Sequence, residues 1–518
     1  MKQWLLFFLG LGLLVILSLG GYRLAQLVLA PQNLFLFFNR IFILCLAVWA
    51  GVTSIGGLGK PAEEGHGTVR FLEFRALVGM SLLVLAAFVL AGQGRILAGK
   101  ELVNVLPFAV GGGMLGQSLT AAGMFLICIW GLHFLLCKMV PGRDPALLPM
   151  IAMLSGIGLL LLFRLGPDIA TIRGRQGFEQ LFWSQFRSFL VSLVVFIGSL
   201  WFFRRQRLER LTQKRYIYAL ACILLIALTA LFGTEMHGRR LSLNLGVMNF
   251  QTVELVKILA LFFMVGYFRY EGSFLEQGRN RFGLPRGRYL LPYLLMWLLI
   301  LLPVFLQRDL GPTALLFSLF LIIFYLGTGS AMSVVSGIVL MGLAGTVSYL
   351  LGIPSMVRTR VDMWLDPFHY SQNLAESLWA VAAGGLFGTG PGKGLSHVIP
   401  VVQSDFNFSV IAEEWGLIGV AAVLVLFGSL VAICLRVAGR QKEPYLQLLA
   451  AGLGSLWMLQ CLVIVAGNMA LMPLTGITLP FISFGGSSLV MNFVMLAMLM
   501  RLSERGITAE VQSAQRKR

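Results

Sequence analysis

Charged residues are scarce in this chain: Asp, Glu, Lys and Arg together make up 12% of its 518 residues, and the mean hydropathy is +0.85. About a quarter of a soluble globular domain is charged, so the composition excludes that class. In place of charge there are apolar runs of about 18 residues or more, each long enough to span hydrocarbon as a helix. Because these runs lack the alternation of barrel strands, the sequence predicts an all-α polytopic membrane protein.

Acidic residues are the scarcer sign of charge, with 22 Asp and Glu against 40 Lys and Arg, for a formal net charge of +18. We assign the excess to cytoplasmic loops by the positive-inside rule and expect no nucleic-acid partner. Six cysteines without a CxxC pair, and five histidines without metal-ligand spacing, predict neither a disulfide framework nor a zinc site. The chain also lacks a Walker A motif and a GxSxG motif, which excludes a P-loop and a hydrolase nucleophile elbow.

The apolar runs predict about fourteen transmembrane helices. They lie at about 4–20, 34–55, 76–95, 107–138, 147–166, 184–203, 216–233, 253–269, 289–306, 312–328, 331–351, 409–435, 446–470 and 484–501. With a cytoplasmic N-terminus, the basic loops at 204–215, 268–288 and 436–442 all return to the cytoplasm, as the positive-inside rule requires. We therefore expect a multi-pass protein with both termini in the cytoplasm.

The segment PGRDP (141–145) predicts a boundary near residue 143. Before it lies an N-terminal membrane region (1–143) of about four helices, to which the sequence assigns no role. After it lies a core of about ten helices (144–505), followed by a basic cytoplasmic tail (506–518).

The longest segment of the core that cannot lie in lipid is 352–408, which this topology places on the outer face. Near its end, Asp405 is either a cap for the following helix or a general base at the water interface. Glu413 and Glu414 follow roughly 12 Å further along that helix, and we expect at least one of them to face a polar cavity. The glycines of AAGGLFGTGPGKG (382–394) predict tight turns that let the backbone approach a ligand.

The other outward loops carry polar residues that the orientation does not demand. With those of the long segment they are Arg239, Arg240, Gln307, Arg308, Asp309, Arg358, Arg360 and Lys393. Each alone is compatible with a solvated loop charge, but cations concentrated on one face favour an anionic ligand such as a phosphate or pyrophosphate. Glu254 and Lys257 are spaced i, i+3 at the start of a span, and we expect a structural ion pair there rather than direct catalysis.

Five motifs in order resemble the SEDS family (shape, elongation, division and sporulation). They are GRRLSLNLG…QTVELVK (238–257), QRDLGPTA (307–314), RVDMWLDPFHYSQNLAESLWAVAAGGLFGTGPGKG (360–394), IPVVQSDFNFSVIAEEWGL (399–417) and NMALMPLTGITLPFISFGGSS (468–488). The resemblance covers about residues 147–505 and places that family's essential loop Asp on Asp405. It makes Asn468 and Ser487, in the last motif, candidates for substrate binding. The sequence departs from many members at Val401, where they carry Glu.

The resemblance implies a ten-helix enzyme of the bacterial cytoplasmic membrane that polymerises lipid II into β-1,4 glycan strands, in cell division or cell-shape maintenance. It also implies a class B penicillin-binding protein as partner and transpeptidase. Since lipid II carries an α-linked pyrophosphate, the reaction inverts, and Asp405 is the candidate base. Arg239, Arg240, Lys393 or a divalent cation (Mg²⁺ or Mn²⁺) would neutralise the pyrophosphate, and no organic cofactor is expected. The alternatives are a lipid II flippase and a non-catalytic scaffold of a cell-wall synthesis complex.

Overall fold

The computed structural model describes residues 31–58, 66–98, 114–173, 180–205, 210–211, 214–236, 239–244, 249–277, 287–307 and 309–516. Over these ranges the chain is almost entirely helical, which confirms the predicted fold class. The helices are α1 (Pro31–Leu58), α2 (His66–Leu97), α3 (Met114–Met139), α4 (Leu147–Arg173), α5 (Leu181–Arg205), α6 (Arg215–Phe232), α7 (Thr252–Gln277), α8 (Gly287–Leu306), α9 (Leu310–Thr328), α10 (Ala331–Leu351), α11 (Ser355–Leu365), α12 (Pro367–Tyr370), α13 (Gln372–Gly384), α14 (Asn407–Arg440), α15 (Pro444–Asn468) and α16 (Gly486–Arg516).

Eleven helices in the described ranges are long and apolar enough to cross a membrane. The predicted runs at 253–269 and 289–306 form the helices α7 and α8, which are not among these eleven. The predicted run at 4–20 lies outside the described residues. The multi-pass architecture is therefore confirmed, and the count of fourteen is not.

Helix α14 lies at the centre of the bundle and packs against α1, α4, α13 and α15. Two apolar contacts illustrate how the N-terminal region joins this core. Phe42 of α1 meets the buried Trp415 of α14 edge to face at 5.7 Å, and α2 packs along α4. By contrast, α10 has no buried residue and packs against α9 and α11, so its apolar side chains suit a lipid-facing position.

A small antiparallel sheet, not predicted from the sequence, lies between α6 and α7. Its strands are β1 (Thr234–Met236), β2 (Arg239–Asn244) and β3 (Asn249–Gln251). β2 is central: Ser242 pairs with Thr234 on one side and with Gln251 on the other. The sheet places the Arg239–Arg240 pair at the same end of the bundle as the start of α7.

The 352–408 segment is not one long irregular loop. Most of it folds into α11, α12 and α13 and a 3-10 turn (Ser396–Val398). Ser371 caps α13 by accepting from the Leu374 N–H, and Asp366 caps α12 by accepting from the His369 N–H. These caps satisfy N–H groups that helix starts leave free. The segment is thus a folded part of the bundle with the shape to carry a site.

Candidate active site

The glycines of the long segment lie against a break in helix α14. Residue Gly416 has φ 67° and ψ −168°, which interrupts the helical hydrogen bonds. The freed groups bind the Gly-rich turn, which we define as residues 384–398: Leu417 N–H donates to the Gly385 carbonyl (2.9 Å), and Thr389 N–H donates to the Glu413 carbonyl (2.9 Å). Backbone groups inside a membrane bundle must be satisfied by protein, so the turn and the break require each other.

Close packing explains why the turn is rich in glycine. A Cβ on Gly388 would overlap the Glu414 carbonyl, and its φ of 75° already favours glycine. The expectation that these glycines admit a ligand is therefore not what the described contacts show. The backbone approaches α14 and the N-terminal helices instead.

The carboxylates of Glu413 and Glu414 both have polar partners, in the same turn or beside it. Both carboxylates are buried. Glu413 accepts from the Leu395 and Ser396 N–H groups (2.8 Å each), while Glu414 lies 2.6 Å from Arg164 Nε. The expected polar cavity is replaced by backbone donors and one guanidinium, which compensate the cost of burying two carboxylates.

Asp405 lies in a turn at 401–405 that is held by the last motif. We call residues 468–488 the signature segment. Its Ser483 hydroxyl donates to the Ser404 carbonyl (2.7 Å), and Phe484 N–H donates to the Gln403 carbonyl (2.9 Å). Val401 has φ 58°, a strained conformation for a β-branched residue of the kind that clusters at functional sites. The helix-cap interpretation fails, because α14 begins at Asn407 and its N-cap residue Phe406 makes no side-chain cap.

The Asp405 carboxylate faces Gly476 of the signature segment and Arg360 of α11. A Cβ on Gly476 would lie 3.5 Å from Asp405 Oδ2 and 3.9 Å from Arg360 Nη2. Arg360 is itself fixed by donating to the Leu474 carbonyl. Burial raises the pKa of Asp405 above its ordinary value, against the opposing effects of the Ser404 hydrogen bond and the Arg360 charge. A carboxyl with a raised pKa is a stronger base once ionised.

The loop before α9 joins the same segment. A Cβ on Gly311 would lie 2.6 Å from the Thr475 carbonyl, next to Gly476. Asp309 is buried directly before α9, and Gln307 donates to the Ile226 carbonyl (3.2 Å). The structure therefore places Gly311, at the start of α9, beside the Asp405 site, while any substrate contact by Gln307 or Asp309 stays a prediction.

The last two candidates from the signature segment lie at its two ends. Ser487 accepts from the Gln251 N–H and donates to the Asn249 carbonyl (2.9 Å each), tying β3 to α16. Asn468 is fully buried and its carbonyl accepts from Ser377, while both polar atoms of its side chain lack a hydrogen-bond partner among the residues that the structure describes. Arg239 and Arg240 lie on β2, the strand next to β3, with side chains outside the described set.

Lys393, which the sequence predicts as a substrate-binding cation, contacts helix α1. Its ammonium is 4.9 Å from the ring centroid of Phe35 on α1, a cation–π contact, and burial lowers its pKa. Arg360, named from the sequence only among the outward cations, lies beside Asp405. The motif beginning RVDMW at 360 was the signal that could have singled it out.

Glu254 and Lys257 form the contact that their spacing predicts. Lys257 Nζ lies 2.8 Å from Glu254 Oε2, with both side chains buried. A buried pair on one helix face has the geometry of the structural ion pair that we expected.

No group of three or more potential metal-ligating side chains occurs within the part of the chain that the structure describes. Asp405 is a single carboxylate beside a guanidinium, which does not fit a resident protein-caged metal. Mg²⁺ is often held by one or two carboxylates and substrate phosphates, so a divalent cation stays an expectation tied to the substrate.

Residues 145–506 match the family profile of the cell cycle proteins FtsW, RodA and SpoVE. The chain belongs to this SEDS family. Among SEDS relatives, the peptidoglycan glycosyltransferase RodA of Mycobacterium tuberculosis is 35% identical over 399 residues, covering 74% of this chain and 83% of its own. The RodA of Mycobacterium leprae is 32% identical over 432 residues, covering 82% of this chain and 89% of its own. That coverage exceeds what the chain holds after residue 144, so the match includes part of the N-terminal region.

The SEDS fold is also found in a solved structure of a peptidoglycan synthase complex, whose subject is the structural coordination of polymerization and crosslinking. One chain of it superposes with a TM-score of 0.58 at 25% identity, covering 70% of this chain and 98% of its own.

Proposed function

We propose that this SEDS protein is an inverting peptidoglycan glycosyltransferase that polymerises lipid II into β-1,4 glycan strands on the outer face of the bacterial cytoplasmic membrane. The observation that carries the proposal is the Asp405 site: a half-buried carboxylate between the signature segment and Arg360, inside a family whose relatives are named peptidoglycan glycosyltransferases. The proposed topology keeps both termini in the cytoplasm and places this site at the outer surface.

The chemistry needs one base and one anion-stabilising face. Asp405 removes the proton from the 4-hydroxyl of the acceptor sugar, whose oxygen attacks C1 of the donor sugar. The C1–O bond to the undecaprenyl pyrophosphate breaks, and its electron pair leaves with the pyrophosphate. One displacement converts the α linkage into a β linkage.

Charge neutralisation assists the departing pyrophosphate. Arg360 lies beside Asp405, which supports such a role, and Arg239 and Arg240 on β2 are two of the three cations proposed from the sequence, with Lys393. Preorganised cations at developing negative charge lower the barrier without reorganising during the reaction. Gln307, Asp309, Asn468 and Ser487 line the neighbouring loops and are proposed to position the two lipid-linked substrates.

A partner completes the proposed synthesis. A fold shared with a chain of a peptidoglycan synthase complex supports association with a class B penicillin-binding protein, which would cross-link the strands that this chain makes.

The test is polymerisation of lipid II by the purified protein, alone and with its partner. We expect glycan strands from the wild type and at least about a 100-fold lower rate from Asp405→Asn, because a positioned general base contributes about 10²–10⁴-fold. Burial raises the pKa of Asp405, so folding favours the neutral carboxyl over the carboxylate more than the unfolded chain does. The neutral amide of Asn should therefore not lower the thermal midpoint at pH 7. Unchanged polymerisation by a folded Asp405→Asn would remove Asp405 as the base. Lipid scrambling in vesicles without polymer would favour a flippase.

A further inference from the structure

The helices α1 and α2 precede the family match, which begins at residue 145, yet they contact the Gly-rich turn directly. Asn39 of α1 donates to the Phe387 carbonyl (3.2 Å). On α2, the Ala91 carbonyl is so close to the turn that a Cβ on Gly392 would lie 2.7 Å from it, and a Cβ on Gly94 would overlap the Pro391 carbonyl. The turn is therefore enclosed between α14 and the N-terminal region.

Charged side chains link α2 to the same turn through α4. Arg95 of α2 lies 2.9 Å from Asp168 and donates to the Arg164 carbonyl (2.7 Å). Arg164 in turn pairs with Glu414 at 2.6 Å and donates to the Gly394 carbonyl. All of these side chains are buried. The contacts run without interruption from the N-terminal region to the first turns of α14.

We propose that α1 and α2 form a positioning element for the active site, with Gly94 and Arg95 as its central residues. By holding the Gly-rich turn in the break of α14, they fix both ends of the stretch that presents Asp405. The upstream end is the turn itself, and the downstream end is the start of α14, which carries Glu413 and Glu414. This inference rests on the proposed function, since it assigns to the N-terminal region the placement of the proposed base.

The buried ion pairs of Arg95 and Arg164 fit a role in positioning the turn better than a role in stabilising the helix packing. Buried ion pairs are often no more stable than apolar side chains of the same volume, so they are weak devices for holding helices together. A guanidinium that contacts a carboxylate and a backbone carbonyl at once does fix a geometry, and lysine does not reproduce that fork. A misplacement of about 1 Å costs an enzyme about 10²-fold in rate.

The glycines offer a test with matched controls. Gly94→Ala adds one methyl group, which pushes on the Pro391 carbonyl without weakening α2, because alanine is the better helix former. Gly51→Ala in α1 and Gly123→Ala in α3 add the same group where no atom of the described residues lies within 4 Å. We expect Gly94→Ala to polymerise about tenfold or more slowly at saturating lipid II, with KM within about twofold of the wild type. Both controls should stay within about twofold in rate. Arg95→Lys should give an intermediate rate.

Hydrogen–deuterium exchange of the peptide covering 388–399 gives a readout independent of activity. We expect faster exchange in full-length Gly94→Ala and Arg95→Lys than in the wild type or the two controls. A Gly94→Ala rate within twofold of the wild type, or an equal loss in the controls, would overturn the inference. If Gly94→Ala does not fold, Arg95→Lys decides by the same criteria. If the wild type makes no polymer, the proposed function fails. Unchanged exchange in the variants would separately show that α1 and α2 do not hold the Gly-rich turn in place.

Discussion

Asp405 and Arg360 form a pair whose electrostatics can be read from a pH profile. The Arg360 charge lowers the pKa of Asp405, while burial raises it further than Arg360 can offset. Removing the cation in Arg360→Met should therefore raise that pKa further. Since the base acts only when ionised, we expect the acidic limb of the polymerisation rate to move to higher pH. The measurement is the rate of glycan synthesis across pH on purified protein.

Arg358 supplies the comparison for this profile, because it lies on the same helix but is exposed. Arg358→Met should leave the pH of the acidic limb where it is, whatever it does to the rate. An identical limb in Arg360→Met and the wild type would show that Arg360 does not act on the base.

At the scale of residues, the sequence was informative where a motif and a surface position coincide. Asp405 could be proposed because a carboxylate ends the long outward segment just before a helix. Its neighbours could not, because Arg360 and Gly476 are separated from it by 45 and 71 positions and meet it only in the fold. The Phe35 ring that Lys393 contacts could not be predicted either, because a cation in an outward segment carries no sign of its partner on another helix.

At the scale of elements, a double-mutant cycle tests the Glu254–Lys257 pair on α7. Breaking a buried pair from one side leaves an uncompensated charge, so Glu254→Gln and Lys257→Met should each destabilise the fold by about 3–5 kcal/mol. The double variant leaves no charge behind and should recover most of that loss. Denaturation of the protein in detergent measures all four members of the cycle. Single variants as stable as the wild type would contradict a structural role.

The elements themselves were predictable to different degrees. Long apolar runs marked the helices well, since hydrocarbon length sets their size. The sheet β1–β3 and the helices of 352–408 were missed, because short polar elements have no hydropathy signal. The break at Gly416 was invisible for another reason: its partners are backbone groups of the Gly-rich turn, and a sequence shows glycine but not what approaches it.

At the scale of the whole molecule, the predicted boundary near 143 is a buried joint. Glu73 of α2 accepts from Arg143 (2.6 Å) and contacts His133 of α3 (2.9 Å). The next residue, Asp144, lies 3.1 Å from Arg436 of α14. The joint therefore fastens the N-terminal region to the core at the end of α14 opposite the Gly-rich turn, so the two regions are held at both ends.

This joint predicts that removing the Glu73 charge exposes the chain to protease at Arg143. Glu73→Gln leaves Arg143 buried without its carboxylate, at a cost of about 3–5 kcal/mol. We expect trypsin to cleave the variant after Arg143, releasing a fragment that begins at Asp144, while the wild type resists at that bond. Glu271→Gln is the matched control, because it removes a carboxylate from the partly exposed Arg215 pair, where the loss is about 0–1 kcal/mol. Mass spectrometry of the fragments identifies the new terminus. Equal resistance at Arg143 in all three proteins would mean that the N-terminal region is held to the core mainly by its apolar contacts with α4 and α14.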